Sequence, residues 1–537
     1  MNDSSHPQGR KQAGGRLIVV SNRLPVVLKR GANRRWYAEP GSGGLVSAML
    51  PVLRNRGGTW IGWTGTTTSQ GGRFEKVLAS ASQAAGYELV PLVLTDEEQE
   101  KYYHGFSNEV LWPLCHDTAG RANFDPEYWP VYQAVNRKFA EVIATQARAG
   151  DFIWIHDYQL MLTAIYLREM GISNRISFFL HIPFPSLDIF LRMPQRFEIL
   201  DGLMRYDLIG FQTQRDRRNF LQCVRSMFGP VELKGKGRVA DAKITLRRSV
   251  ARRLFGTAGE ATGETRTVTR EFRVGAFPIS IDTSAYERIA QQPDVKTRAA
   301  EIRANMSDRK IILSVSRLDY SKGIPQTLQA FRDVLRRYPD WCRAVSLVQV
   351  VVPSRREVPA YERLRVALDQ LVGEINGEFT QTGWVPVHYL YRSLSAEDLM
   401  AYYRAANVAL IAPLKDGMNL VAKEYIAAHA ADAGVLILSE FAGAAAELHQ
   451  HALMVNPHDI RGMADAIHES LLMPAPEQRR RMRRMRRIVE SNTIFHWVES
   501  FLDASLAVDL DAFPIIEDFV PMPAGELLGG EVPALPL

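Results

Sequence analysis

The sequence predicts an α/β protein with two doubly wound, Rossmann-like domains that face each other across a cleft. Three observations predict this class. The chain has 537 residues, which is more than a single hydrophobic core usually serves. Short apolar runs typical of buried strands alternate with helical patterns, which favours parallel sheets. Several of these runs end in polar residues, and parallel α/β sheets bind ligands beside the carboxyl ends of their strands.

The composition is that of an ordinary globular protein, with 46% hydrophobic and 23% charged residues. A net charge of +6 is mild for this length and suits anionic small substrates as well as nucleic acid. The three cysteines, Cys115, Cys223 and Cys342, lack paired spacing. This argues against a disulfide framework or a zinc cluster and favours a reducing compartment. With no apolar run of transmembrane length and no signal-peptide pattern, we expect a cytoplasmic protein without membrane contact.

The first Rossmann-like domain is predicted over residues 17–282, after a disordered extension over 1–16. Within it, residues 234–271 lack an apolar pattern and are predicted to form a surface insertion. A glycine loop with Gly43 and Gly44 precedes a predicted helix. Glycines there would let the backbone approach a ligand closely, although a plain turn has the same sequence.

Three predicted strands of this domain end in residues that could reach a ligand. Arg23 follows the strand 17–21, Asp157 ends the strand 152–157, and His181 follows the strand 176–180. A single histidine at a strand end is more often a core or capping residue than a functional one. It is the repetition at successive strands that favours a site.

Tyr103 and Trp112 lie in a stretch, 102–113, that mixes aromatic and polar residues. We predict a loop here. Such a loop could form a platform for a sugar, although a packed loop without function is the commoner meaning of this composition.

The second Rossmann-like domain is predicted over residues 283–490. Its strands 310–316 and 345–352 are followed by cations, which are Arg317, Lys322 and Arg355. Two of these cations, Arg317 and Lys322, together with a helix N-terminus suit a diphosphate leaving group.

The stretch 411–425 is the centre of the predicted site. A buried strand, 408–410, leads into a turn with Asp416, and a helix follows over 419–428. The free N–H groups of a helix N-terminus favour a phosphate. Glu424, a little more than one turn inside this helix, could accept hydrogen bonds from two adjacent hydroxyls such as a ribose diol. An acidic first turn that only complements the helix dipole would have the same sequence.

Seven arginines crowd the stretch 478–487. A nucleic-acid patch is one interpretation. Met482, Met485 and Val489 recur between and after the arginines at helical spacing, which favours an amphipathic helix with a basic outer face. We therefore expect no nucleic-acid partner. A further helix is predicted over 491–507, and a loose tail over 508–537.

Taken together, these motifs resemble the trehalose-6-phosphate synthase family of retaining glycosyltransferases, which have the GT-B architecture. The resemblance covers about residues 17–502, and the motifs at 317–323 and 416–424 are highly specific in combination. The matching stretches are 21–23, 43–45, 60–63, 102–113, 156–158, 181–185, 210–213, 317–323 and 416–424.

The resemblance implies transfer of glucose from a nucleotide sugar, usually UDP-glucose, to glucose 6-phosphate, giving α,α-trehalose 6-phosphate. It implies front-face displacement, in which the leaving phosphate oxygen accepts the acceptor's proton, with no metal ion or other cofactor. We also expect a homo-oligomer. No phosphatase motif follows, so a separate trehalose-phosphate phosphatase would act on the product.

The resemblance also implies a role for each matching residue. His181, Arg317, Lys322 and Asp416 would be the catalytic group, and Trp112 would line the acceptor pocket and set anomeric preference. The donor would be held by Gly43, Gly44, Arg317, Lys322, Leu420, Val421, Ala422, Lys423 and Glu424. The acceptor would be held by Arg23, Tyr103, Asp157 and Arg355.

The sequence departs from the family pattern at Cys115-His116-Asp117, because relatives often carry an aromatic residue after this histidine. Acceptor identity therefore stays open. A sister synthase could use another acceptor, such as glycerol 3-phosphate, and give glucosylglycerol phosphate. A catalytically silent sugar-phosphate sensor is a second alternative, against which the retained Arg317, Lys322, Asp416 and Glu424 argue.

Overall fold

The structure of the chain is a computed structural model. It describes residues 15–30, 36–41, 45–46, 49–50, 53, 57–70, 74–235, 237–247, 249–250, 268–354, 358–429, 433–507, 510, 513 and 519–521. The predicted site residues Gly43, Gly44 and Arg355 lie outside these ranges. So do residues 1–14 of the predicted N-terminal extension and most of the predicted tail.

The first sheet contains nine strands within the described residues, and eight of them run in the same direction. The strands are β1 Leu17–Arg23, β4 Thr59–Thr67, β5 Glu88–Leu94, β6 Phe152–His156, β7 Ile176–Phe179, β8 Leu208–Phe211, β9 Val231–Lys234, β10 Val239–Thr245 and β11 Thr269–Ala276. Their order is β5-β4-β1-β6-β7-β8-β11-β10-β9, and β10 is antiparallel to both of its neighbours. A separate hairpin joins β2 Val26–Arg30 and β3 Trp36–Pro40.

The second sheet is parallel throughout its six strands in the described part of the chain. The strands are β12 Lys310–Arg317, β13 Val345–Val352, β14 Val387–Tyr391, β15 Val408–Ile411, β16 Val435–Ser439 and β17 Leu453–Val455. Their order is β14-β13-β12-β15-β16-β17. The two parallel sheets confirm the predicted doubly wound α/β class.

Helices connect the parallel strands. The α-helices are Glu75–Ala85, Asp96–Glu98, Trp112–Cys115, Tyr128–Gln146, Thr163–Glu169, Leu187–Phe190, Arg196–Leu203, Gln214–Met227, Thr283–Gln291, Pro293–Asn305, Ile324–Arg337, Pro359–Phe379, Ala396–Ala405, Leu420–Ala428, Ala445–Leu448, Ile460–Leu472, Ala475–Ser491 and Ile494–Leu506. Gln99–Leu111 is π-helical, and short 3₁₀ turns lie at Thr68–Gln70, Ala119–Arg121, Tyr158–Leu160, Tyr320–Lys322 and Pro339–Trp341.

The predicted loop over 102–113 is wrong, because Tyr103 and Trp112 both lie on helix. Tyr102, Phe106 and Val110 recur every fourth residue and are buried. Tyr102 and Phe106 pack against Tyr132 of the neighbouring helix, with ring centroids 5.8 Å and 4.5 Å apart. This tertiary packing outweighs the weak helix propensity of the glycine, serine and asparagine between them.

The segment 234–271, predicted as a surface insertion, belongs in part to the first sheet. Val239–Thr245 pairs along its length with Thr269–Ala276, and Val239, Ala242 and Ile244 are buried. Cross-strand pairing supplies the order that a polar, Thr- and Arg-rich sequence does not signal locally. Residues 251–267 lie outside the described part of the chain.

The arginine-rich stretch forms the predicted amphipathic helix, Ala475–Ser491, with Met482, Met485 and Val489 buried. The next helix, Ile494–Leu506, returns to the first sheet. Trp154 of β6 stacks on Trp497 and Phe501 of this helix, with ring centroids 5.0 Å and 4.3 Å apart. The far end of the chain therefore completes the core of the first domain.

Candidate active site

Each sheet reverses its winding direction at one point, and the predicted site residues gather at these two points. In the first sheet the chain winds outward from β1 and β6, and in the second sheet from β12 and β15. The crevice between such strands is where doubly wound sheets bind ligands. Arg23 ends β1, Asp157 follows β6, Arg317 ends β12, and the loop after β15 carries Asp416.

Arg23 lies against an aromatic surface in the first domain. Its guanidinium carbon is 4.3 Å from the ring centroid of Trp63 and 5.3 Å from that of Tyr103. Stacking on the ring faces leaves the N–H edge of the guanidinium available for a phosphate or a carboxylate. Tyr103 is thus brought beside Arg23, as the acceptor-site prediction requires.

Asp157 and His181 are joined at the ends of β6 and β7. Asp157 has a φ of 78°, which is uncommon outside glycine, and its Oδ1 accepts a hydrogen bond from the His181 backbone N–H at 3.2 Å. The His181 Nε2 lies 3.1 Å from Nδ1 of His156. Burial lowers the pKa of His181 to about 3. The imidazole is therefore neutral near pH 7 and is suited to hydrogen bonding.

Lys322 and Asp416 form an ion pair in the second domain. The Lys322 Nζ donates to Asp416 Oδ2 at 2.7 Å, and the Asn419 amide donates to the same oxygen at 3.0 Å. Burial opposes the charge on Asp416, but Lys322, with smaller contributions from His116 and Asn419, outweighs burial, so the pKa of Asp416 lies below its ordinary value. The carboxylate is therefore ionised and held in one orientation.

The loop that carries Asp416 touches the first domain. A Cβ placed on Gly417 would lie 2.2 Å from the backbone oxygen of His181, so a larger residue would push the two domains apart. Glycine at this position lets Asp416 and His181 approach each other across the cleft.

Glu424 lies in the helix Leu420–Ala428, as predicted. Its Oε1 accepts a hydrogen bond from the Tyr286 hydroxyl at 3.1 Å, and its Oε2 accepts one from the Tyr403 hydroxyl at 2.7 Å. Burial raises the pKa of Glu424, while these two hydrogen bonds act in the opposite direction. Leu420, Val421 and Ala422 form the first turn of the same helix, and Asn419, with a φ of 75°, precedes it.

The Lys423 side chain does not extend toward a ligand. Its Nζ donates to Glu447 Oε2 at 2.6 Å and to the Ile279 carbonyl at 2.9 Å. The side chains of Lys423 and Glu447 are 1% and 5% exposed. The ammonium is committed to a buried ion pair, so only the backbone of Lys423 is left for the predicted donor contact.

Three contacts between described side chains cross the cleft near these residues. The Arg317 guanidinium carbon is 5.7 Å from the Trp112 ring centroid, and that of Arg121 is 4.9 Å from the Tyr320 ring centroid. Each pair has one member in each domain. The third contact is an ion pair of 2.8 Å between Lys415 Nζ and Asp117 Oδ2. The sequence did not single out Lys415 or Arg121, because contacts between residues this far apart in the chain leave no local pattern.

His116 is a further site residue, one for which the sequence predicts no role. Its ring stacks on Trp112 with centroids 4.0 Å apart, and its Nδ1 lies 2.8 Å from the Trp112 carbonyl oxygen. Burial and then the nearby Lys322 lower the pKa of His116 to about 4. The spacing of four residues from Trp112 is the signal that could have placed it on the same side of a helix.

Among the described residues, no group of three or more His, Cys, Asp or Glu side chains is arranged to hold a metal ion. The same part of the chain contains no helix long and apolar enough to span a bilayer.

Two Rossmann-like domains with cations and a helix N-terminus on one side of a cleft, and an arginine, a carboxylate and a histidine on the other, define the GT-B class of glycosyltransferases. Residues 15–506 match glycosyltransferase family 20, and the chain belongs to this family.

Relatives and solved structures agree with this assignment. A trehalose-6-phosphate synthase of Mycolicibacterium vanbaalenii is 42% identical over 505 residues, covering 94% of this chain and 98% of the relative. A UDP-forming α,α-trehalose-phosphate synthase from Burkholderia xenovorans, in complex with glucose-6-phosphate, superposes with a TM-score of 0.79 at 34% identity, covering 92% of this chain and all of that one. A structure from E. coli bound with UDP-2-fluoro glucose gives a TM-score of 0.78 at 35% identity, with the same coverage of both chains.

Proposed function

We propose that this protein transfers glucose from UDP-glucose to glucose 6-phosphate with retention, giving α,α-trehalose 6-phosphate and UDP. One observation carries the proposal: both sheets have their switch points at the same cleft, with complementary groups on the two sides. The family assignment supports it, as do the names of the relatives and the ligands of the two similar structures.

The second domain would hold the donor. Arg317 and Lys322 would neutralise the diphosphate, and the free N–H groups at the start of the helix Leu420–Ala428 would face its oxygens. Glu424 would accept hydrogen bonds from the ribose hydroxyls. Gly43 and Gly44, from the first domain, would approach the same nucleotide sugar.

Asp416 and His181 would contact the transferred glucose from opposite sides of the cleft. Asp416 is ionised and oriented by Lys322 and Asn419, so it would accept hydrogen bonds from sugar hydroxyls. Neutral His181 would add a hydrogen bond from the first domain. Together they would fix the sugar while its bond to the diphosphate breaks.

The first domain would hold most of the acceptor. Arg23 and Tyr103 would bind the phosphate together with Arg355 from the second domain, and Asp157 would accept from a sugar hydroxyl. Trp112 would form the wall of the acceptor pocket. The contact of Trp112 with Arg317 supports a position of that wall beside the donor's diphosphate.

The chemistry would need no protein nucleophile. As the bond from the anomeric carbon to the donor phosphate oxygen breaks, the acceptor's anomeric oxygen forms its bond on the same face. The acceptor proton passes to the leaving phosphate oxygen. Arg317 and Lys322 would stabilise the charge that develops on the diphosphate, which is the usual role of such preorganised cations.

A matrix of donors and acceptors with mass detection of the product tests this proposal. UDP-, GDP- and ADP-glucose would each be offered with glucose 6-phosphate, glycerol 3-phosphate or glucose. The expected product is trehalose phosphate from UDP-glucose and glucose 6-phosphate. Glucosylglycerol phosphate as the main product would overturn the acceptor assignment, and no turnover with any pair would favour a sugar-phosphate sensor.

A homo-oligomer and a separate trehalose-phosphate phosphatase complete the proposal. The product would retain its phosphate, so a phosphatase has to act next if free trehalose is formed. Light scattering of the purified chain measures the oligomeric state directly, and a mass equal to one chain would overturn that part.

A further inference from the structure

Glu424 is held from two sides by phenols that come from two other helices. Tyr286 lies in the first helix after the chain enters the second domain, and Tyr403 lies in the helix before β15. Each phenol donates to a different oxygen of the carboxylate, at 3.1 Å and 2.7 Å. The carboxylate therefore has one donor on each oxygen and cannot rotate without breaking one of the two bonds.

This arrangement leaves a defined part of the carboxylate unused. An ionised carboxylate has about four lone-pair directions, and the two phenols occupy one on each oxygen. The directions that remain suit two donors close together, as the hydroxyls of a cis-diol are. Tyr403 is 1% exposed and Tyr286 is half-buried, so the protein fixes the phenols as well as the carboxylate.

We propose that Tyr286 and Tyr403 are positioning residues that orient Glu424 toward the ribose 2′- and 3′-hydroxyls of the donor, and so make the site select ribonucleotides over deoxyribonucleotides. The inference rests on the proposed nucleotide-sugar donor. It adds to that proposal an origin for the selectivity toward the ribose of the nucleotide. This selectivity would depend on two residues that need not touch the ligand.

Loss of one phenol hydroxyl has a physical consequence at Glu424. The enclosed carboxylate would lose a donor and its fixed orientation, and burial would then favour its protonated form. A protonated carboxyl has less acceptor capacity than a carboxylate. The hydrogen bonds to the ribose would weaken, whereas the contacts of Arg317 and Lys322 with the diphosphate would stay.

Calorimetric titration of the full chain with UDP and with 2′-deoxy-UDP tests the inference. The variants are Tyr286→Phe and Tyr403→Phe. Tyr402→Phe, at the adjacent position of the same helix, is the matched control, because the hydroxyls bonded to Glu424 are those of Tyr286 and Tyr403. Unfolding temperatures of all four proteins check the fold.

We expect the wild type to bind UDP about tenfold to a hundredfold more tightly than 2′-deoxy-UDP, as for one hydrogen bond to a charged group. In Tyr286→Phe and Tyr403→Phe this ratio should fall toward one, mainly through weaker UDP binding. In Tyr402→Phe it should stay at the wild-type value. The ratio is measured within one variant, so a smaller folded fraction does not alter it.

An unchanged ratio in both Tyr286→Phe and Tyr403→Phe would overturn the inference and leave the proposed function intact. A wild type that binds UDP but does not discriminate against the deoxy form would also overturn it. A wild type that binds neither nucleotide would overturn the proposed donor itself, and the inference with it.

Discussion

Removal of one partner from the buried ion pair between Lys423 and Glu447 should strongly destabilise the second domain. Lys423→Met keeps the length of the side chain but removes the charge. Glu447 would then be a buried carboxylate that keeps a hydrogen bond from the Asn492 amide, at 3.1 Å, and an interaction with the charge of Arg238, but no close ion pair among the described residues. The exposures of 1% and 5% mean that water cannot screen the charge left behind.

The magnitude follows from this burial. Removal of one partner from a buried ion pair costs about 3–5 kcal/mol, because the other charge is left without compensation. For a domain of this size the unfolding temperature should fall by on the order of 10 °C. The double variant Lys423→Met/Glu447→Leu removes both charges and should recover much of the loss.

Scanning calorimetry of the single and double variants measures the effect, and donor kinetics on the same proteins measures function. Lys29→Met is the control, because it breaks an ion pair with Glu39 whose side chains are 51% and 43% exposed. That control should change the unfolding temperature little. If Lys423→Met were as stable as wild type but had a greatly raised KM for UDP-glucose, the reasoning would be refuted, since Lys423 would then act as a donor ligand.

Three further predictions concern the site. Arg317→Ala and Lys322→Ala should each lower kcat about a hundredfold, which corresponds to about 3 kcal/mol of transition-state stabilisation, while circular dichroism shows an intact fold. EDTA should not change the rate of the wild type. Near-normal rates in both variants would contradict the donor assignment. Arg355→Ala should raise the KM for glucose 6-phosphate far more than that for UDP-glucose and narrow the preference over free glucose; an unchanged ratio of kcat/KM for the two acceptors would show that Arg355 does not bind the phosphate. The pKa of His116 lies at about 4 in the folded chain against an ordinary 6.5, so the unfolded chain binds its proton first as the pH falls. The stabilisation that comes from keeping His116 neutral should be complete above pH 6.5 and should be lost progressively down to about pH 4, by about 3 kcal/mol in total. The free energy of unfolding measured in urea should therefore depend less on pH for His116→Gln than for the wild type.

The sequence predicts elements well where a local pattern and the tertiary structure agree. The strand Val345–Val352 has the predicted bounds, since an apolar run marks it along most of its length. The strand Val239–Thr245 could not be predicted in this way, because its order depends on pairing with two other strands. The π-helical stretch Gln99–Leu111 was misjudged because Gly105 and its polar neighbours are typical of loops.

In the candidate site, too, the residues that follow a local pattern could be predicted and the contacts between the domains could not. Strand ends located Arg23, Asp157, Arg317 and Asp416 at the two switch points, because chain order alone places such residues at one edge of a sheet. The ion pair that Lys415 forms across the cleft depends on how two domains approach each other. No spacing within the sequence encodes that distance.

The return of the last helix to the first sheet has a consequence for how the chain is made. Trp154 is synthesised some 340 residues before the rings of Trp497 and Phe501 that cover it. On the ribosome Trp154 therefore lacks these two rings until the second domain has emerged. The core of the first domain closes only after the helix Ile494–Leu506 has been made, and a gene cut between the two domains would leave the first without this covering helix.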